Sequence, residues 1–175
     1  MPPIDPLTAL RALLTNQPPS LSVTAHSLAE RFVGTTEVPG KVANPAILAM
    51  LRLDATWPGG DEVPWCSAFV NYICWLLRLP RSKSLRARSW LDVGEPVDWE
   101  YAKKGFDVVV LARGGGNQPG PDVIDAPGHV GFFAGDEHIE DRDEDIYILG
   151  GNQNNGVNVS VYPVGRLLGI RRLYG

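Results

Sequence analysis

Two side chains of this sequence are placed to do nucleophilic chemistry together. Cys66 lies in Glu62-Val-Pro-Trp-Cys-Ser-Ala-Phe-Val-Asn71, after the turn-rich Pro58-Gly-Gly-Asp-Glu, at the expected first turn of a helix. Unpaired N–H groups at a helix N-terminus carry partial positive charge. A thiol there can fall from its ordinary ~8.5 toward ~3.5–7.5 and act as a thiolate near neutral pH. Sixty-three residues on, Pro127-Gly-His129-Val-Gly-Phe-Phe puts an imidazole at the start of a strand. Gly128 and Gly131 flank it, as glycine does where other backbone or a ligand comes close. Such a base needs a polar orienter on its other ring nitrogen. Asn152, in Gly150-Gly-Asn-Gln-Asn-Asn155, is the first candidate and Gln153 the alternative. A neutral amide serves in Cys-His-Asn sets, although the same stretch is also good hairpin sequence.

The elements that must position these groups divide the chain in two. Residues 1–20 are proline-rich, with a short helix expected over Pro6–Thr15, and read as a lead-in to a single domain over 21–175. Helical spacing predicts a helix over Leu21–Val33, closed by Gly34, and a short one over Ala46–Leu53 behind Pro45. The central helix, Cys66 to Leu77, is apolar nearly all round and therefore buried. Ser89–Gly94 reads as another short helix. The period then changes to two, with strands expected at 106–112, 129–134, 145–149, 157–162 and 168–173. The long glycine-rich loop between the first two, 113–128, is of a length that is usually functional. Helices first and strands after predict an α+β fold with an antiparallel sheet of five or six strands.

Composition removes several classes. The 175 residues are 44% hydrophobic, suited to one domain with a real core. No apolar run approaches the ~18–20 residues of a membrane span, and the N-terminus has neither the basic nor the apolar region of a secretory signal. Synthesis in the cytosol is therefore expected. Net charge is −4, but seven carboxylates crowd residues 136–145, and outside them 13 acidic residues face 15 basic ones. No clustered basic surface suggests nucleic acid. Asp141-x-Asp143-x-Asp145 has the start of a calcium loop, but Ile146 stands where its glycine belongs and the final glutamate is missing, so no metal is expected. No cofactor is expected either. Cys66 and Cys74 would lie roughly 12 Å apart along one helix, beyond the ~7 Å reach of a disulfide, so both are expected to be free. Cys74 reads as a small buried side chain, and His26 as a surface residue.

Cysteine, histidine and a polar residue, in that order, suggest a papain-like cysteine hydrolase. Pro64-Trp-Cys66-Ser-Ala-Phe-Val-Asn, Phe106-Asp-Val-Val-Val-Leu, Gly128-His129-Val-Gly-Phe-Phe and Leu149-Gly-Gly-Asn152 together resemble the CHAP family. These are cysteine- and histidine-dependent amidohydrolases and peptidases among the papain-like, NlpC-type cell-wall hydrolases. The resemblance spans roughly residues 35–173. It implies cleavage of an amide bond in peptidoglycan, with Cys66 as nucleophile, His129 as base and Asn152 as the last polar position. Many members carry a glutamate two residues before that asparagine, where this chain has Gly150.

Around that core, Trp65, Trp90 and Trp57 are candidates to wall a substrate groove, and Arg86 and Arg88 to meet stem-peptide carboxylates. The acidic stretch suits a hairpin tip that docks a basic partner. An enzyme of this kind would act in the periplasm or at the wall, of a target cell if it is an injected antibacterial toxin effector. That setting implies a cognate immunity protein and a secretion apparatus as partners, and the lack of a wall-binding repeat leans toward it. The alternatives are a phage endolysin with the same chemistry, a thiol transferase or deamidase acting on protein amides, and an inactive wall-peptide-binding module.

Overall fold

A computed structural model of the chain describes residues 22–40, 42–135 and 145–174. The lead-in and most of the acidic stretch lie outside these. Local chemistry sets the helix starts. Thr24 caps α1 (Ala25–Ala29): its Oγ1 accepts the Ser27 N–H at 3.1 Å, while the Thr24 N–H donates to Ser27 Oγ at 2.9 Å. The chain then tightens into a 3-10 turn, Glu30–Phe32, so the helix expected over 21–33 is shorter and changes pitch. Asn44 caps α2 (Pro45–Arg52) by accepting the Ala46 N–H at 2.9 Å, with proline in the first turn. The central helix α3 spans Cys66–Leu76. In place of the helix expected at Ser89–Gly94, a 3-10 segment covers Ala87–Asp92.

Six strands form one antiparallel sheet: β1 (Glu95–Val97), β2 (Asp107–Ala112), β3 (Gly128–Gly135), β4 (Asp145–Gln153), β5 (Gly156–Pro163) and β6 (Leu167–Arg172). Their order is β1-β6-β2-β3-β4-β5. The α+β expectation holds, at the upper strand count. β1 went unread because it is three residues long and contains Pro96, which belongs at a sheet edge. Val108, Val110, Val130, Phe132 and Leu149 pack with Phe69, Val70 and Ile73 of α3, the main core. Val109, Leu111, Phe133, Ile146 and Ile148 form a second apolar layer on the other side, covered by Trp99 and Leu167. Both faces are buried, so α3 is clamped to the sheet and its N-terminus is held against β3 and β4. No helix of the described residues is long and apolar enough to cross a membrane.

Candidate active site

Cys66 opens α3, whose N-cap residue Trp65 makes no side-chain cap. The sulfur faces the amides instead: the N–H groups of Val130, Ser67 and Cys66 itself are directed at it. Val130 follows His129 in β3, so this contact sets the thiol against the strand that carries the imidazole. Ser67 is locked from behind, with Oγ donating to Ser84 O at 2.6 Å and accepting Trp90 Nε1–H at 2.9 Å. Asn71, one turn on, donates to Ser67 O and Ser84 O at 3.1 Å each and accepts the Lys83 N–H at 3.0 Å. These bonds tie the chain after α3 back beneath its first turn.

The sequence predicts a thiol of lowered pKa; burial reverses the direction. Cys66 is 2% exposed, and burial pushes its thiol up against the opposing pull of those amides and of Arg113. Burial likewise lowers His129, 4% exposed, to about 4. The hydrogen bond that His129 donates to Gln153 works against that shift, and the charge of Arg113 adds to it. Both groups are neutral at pH 7 in this closed arrangement. Cys74 is buried and also shifted upward by burial; neither cysteine is in a disulfide.

The hydrogen-bond network fixes the tautomer of His129. Its Nε2 lies 3.0 Å from Gln153 Oε1. The Gln153 amide cannot be flipped, because its Nε2 donates to Asn158 O at 2.6 Å and to Ile148 O and Gly150 O at 3.3 Å. Oε1 therefore accepts, from His129 and also from the Tyr162 hydroxyl at 3.0 Å. The proton sits on Nε2, and Nδ1 keeps the lone pair of a base. The Tyr162 ring lies beside the imidazole, with centroids 5.4 Å apart.

Gln153 takes the place expected for Asn152, and a β-bulge is the reason. Gly150 pairs with Asn158, but Gln153 pairs with Gly156, so β4 spends one residue more than β5 between those two pairs. Strict alternation from Ile148 and Gly150 would put Asn152 on the His129 side. The extra residue is absorbed at Asn152, which adopts φ +58, and the phase slips by one. Asn152 Nδ2 then donates to Glu37 Oε1 at 3.1 Å, away from the imidazole. A two-residue turn with positive φ at Asn154 and Asn155 closes the hairpin.

The four other expected site residues are not assembled as a groove. Trp65 and Trp90 are fully buried. Trp65 donates Nε1–H to Glu37 Oε1 at 2.7 Å and packs so closely on Gly151 that a Cβ there would collide with its ring. Trp90 is the post under Ser67. Arg88 is buried too, and its guanidinium bonds the carbonyls of Pro127, Pro119, Gly120 and Val123, leaving no donor free for a substrate carboxylate except the enclosed Nη2. Arg86 is exposed and paired with Asp125 at 2.6 Å. Trp57 is 68% exposed. His26, expected at the surface, is 2% exposed beneath the 105 turn, with its backbone N–H on Gly105 O at 2.8 Å. Sequence reasoning missed Glu37, Tyr162 and Arg113. Glu37 is 29 residues from the thiol in sequence, and no local pattern marks it; Tyr162 and Arg113 could have been found by following the strand alternation of β5 and β2 out to their ends. Among the described residues, no cluster of three or more histidine, cysteine or carboxylate side chains is placed to hold a metal ion.

No family model matches the chain, and no curated protein does. Among solved structures it is similar to that of NlpC1 from Trichomonas vaginalis, at 14% identity and a TM-score of 0.48, over 86% of this chain and 43% of that one. The chain thus spans less than half the length of that protein.

Proposed function

We propose that this protein is a papain-like cysteine hydrolase that cuts an amide bond in the peptide of peptidoglycan, with Cys66 as nucleophile, His129 as base and Gln153 as orienter. The observation that carries the reading is the Gln153 bond to His129 Nε2, which leaves Nδ1 basic on the strand whose next amide meets the Cys66 sulfur. His129 Nδ1 takes the thiol proton as sulfur attacks the amide carbonyl carbon. Negative charge builds on the carbonyl oxygen, for which the Cys66 backbone N–H at the start of α3 is the natural donor. The imidazolium then gives its proton to the departing amine, leaving a thioester. Water, deprotonated by the same Nδ1, releases the acid and restores the thiol. The CHAP resemblance of the cysteine and histidine blocks supports peptidoglycan as the substrate.

The test is incubation with purified sacculi, followed by separation and mass analysis of the released fragments. Solubilised muropeptides with a new amine and a new carboxylate are expected, and they name the bond. Cys66→Ser and His129→Ala are each expected to reduce turnover by at least about 10³-fold. Unchanged activity in either folded variant ends the assignment.

A further inference from the structure

We propose that the open edge of β6, beside the end of β1, is a docking site for an extended peptide that carries a basic side chain. β1 stops at Val97, opposite Ile170. The chain then leaves the edge through the 3-10 turn Trp99–Tyr101, whose indole packs on Phe133 in the second apolar layer, with ring centroids 6.0 Å apart. β6 starts earlier, at Leu167. Leu167, Leu168 and Gly169 therefore have β2 on one side and no strand on the other. Among the described residues, no loop backbone or side chain bonds that open side either. Such an edge is a template for another strand. An added strand gains main-chain hydrogen bonds, and pockets beside it read its alternate side chains.

A cavity of about 550 Å³ opens at this edge, within the usual size of a ligand pocket. Leu91 and Ile124 give it apolar walls, and Leu168 and Gly169 its strand side. Gly169 lets the 3-10 segment Ala87–Asp92 close down on the strand, since a Cβ there would lie 3.0 Å from Leu91 Cδ2. Two carboxylates line the cavity from separate segments: Asp92 from the end of that 3-10 segment and Asp122 from the loop before β3. Arg88 sets the spacing between those segments. It belongs to the first, and its Nη1 donates to Gly120 O at 2.6 Å and Val123 O at 3.2 Å, on either side of Asp122. Both aspartates are exposed and have no ion-pair partner among the described residues. Arg171 also lines the cavity, but it stands opposite Pro96, inside the part of the edge that β1 already covers. Two carboxylates against one guanidinium leave the lining net acidic, and a cationic side chain complements it. A second copy of this chain fits less well. Two β6 edges paired about a two-fold axis would bring two sets of these aspartates to one junction. Neither Cys66 nor His129 lines the cavity, so the docking site stands without the hydrolase reading.

The probe is an acetylated and amidated pentapeptide, serine–valine–lysine–valine–serine, titrated by calorimetry into the full chain at low salt. The same peptide with glutamate at its centre is the control. The lysine peptide is expected to bind roughly tenfold or more tightly than the glutamate peptide. It is also expected to slow amide hydrogen exchange within 167–169. The preference for lysine is expected to fall to within about twofold in protein carrying Asp92→Asn and Asp122→Asn. Absence of binding, equal binding of the two peptides, unchanged exchange at 167–169, or a preference that survives the double replacement overturns the proposal. A dimer seen by sedimentation, protecting the same three residues and not displaced by the lysine peptide, assigns the edge to a second copy and overturns it as well. Both aspartates are exposed, and a thermal melt of the double variant checks its fold. Sacculus hydrolysis enters none of these measurements, so failure here and failure of the hydrolase reading are told apart.

Discussion

Gly150 stands against His129 so closely that a Cβ on it would lie 3.2 Å from the imidazole Nε2 and 3.2 Å from Gln153 Oε1. In this chain the backbone itself closes on the ring, and the polar partner arrives three residues later, from beyond the bulge. The glycine leaves room for the Gln153 side chain beside the ring. Gly150→Ala is therefore expected to push Gln153 or His129 off its hydrogen bond by a few tenths of an ångström. A kcat loss of roughly tenfold, with the fold kept, is the expected result, since a misplacement of about 1 Å costs about 10²-fold. Sacculus hydrolysis rates and a thermal melt on the same preparation check it.

Gln153 has its own signature. Its carbonyl accepts from the His129 ring, while its NH₂ satisfies backbone carbonyls on both β4 and β5. Gln153→Ala is expected to lower kcat by roughly 10–100-fold with little change in KM, because it frees the ring to rotate. Gln153→Glu keeps an acceptor for Nε2 but sets a carboxylate oxygen against the Asn158 carbonyl, now 2.6 Å from the amide nitrogen. It is expected to destabilise the protein by about 1–3 kcal/mol. Denaturant midpoints separate the two effects. A glutamate variant as stable as the parent contradicts the amide orientation, and with it the tautomer of His129.

The parts legible in the sequence were those with a local signal. Cys66 could be placed at a helix start because Pro64, the preceding turn and the apolar run after it all act within a few residues. His129 could be placed at a strand start by the same kind of reasoning. What escaped were consequences of pairing between distant segments. Whether Asn152 or Gln153 faces the imidazole depends on one extra residue in β4 relative to β5, and single-strand periodicity carries no count of the partner strand. The low thiol pKa expected from the helix N-terminus failed for a similar reason. The amide contribution is local and visible, whereas desolvation depends on what α3, β3 and β5 enclose together. Arg88 read as a cation open to a substrate carboxylate because arginine is seldom fully buried; here four loop carbonyls replace its water.

Glu37 joins the two halves of the site. One carboxylate oxygen accepts from Trp65, the residue before Cys66, and from Asn152, the residue before Gln153. The backbone helps, with the Glu37 N–H on Asn155 O at 2.8 Å. Glu37→Ala leaves the indole N–H of a fully buried tryptophan without its partner, which is expected to cost about 1–3 kcal/mol. It also releases the αL residue that sets the bulge. The expected outcome is a lower denaturant midpoint together with a lower kcat, and partial recovery of both in Glu37→Gln, whose side-chain oxygen can still accept. Loss of stability with kcat unchanged would reduce Glu37 to a packing role.

The pH response follows from the buried imidazole. The folded value of His129 is about 4, against 6.5 for the ordinary side chain. Between those pH values the unfolded chain takes up a proton that the folded chain refuses, so stability rises with pH across that window. The contribution is complete above about pH 6.5 and lost as the pH falls toward 4, with an upper size of about 3 kcal/mol. His26, lowered chiefly by burial, acts in the same direction. Asp61 is net lowered because the amides of Asn44 and Val38 outweigh its burial; its loss comes at more acid pH, below the ordinary carboxylate value of 3.8. Urea midpoints at pH 7.5 and 4.5 are expected to differ, and His129→Gln to flatten part of that difference. Because the base works only when neutral, the acid limb of kcat/KM is expected near pH 4 and not near 6.5. The enclosed neutral Cys66 thiol is expected to react slowly with iodoacetamide at pH 7, at a rate set by opening of the site. Rapid labelling, with an acid limb near 6.5, would instead mean that the working protein keeps this pair exposed to water.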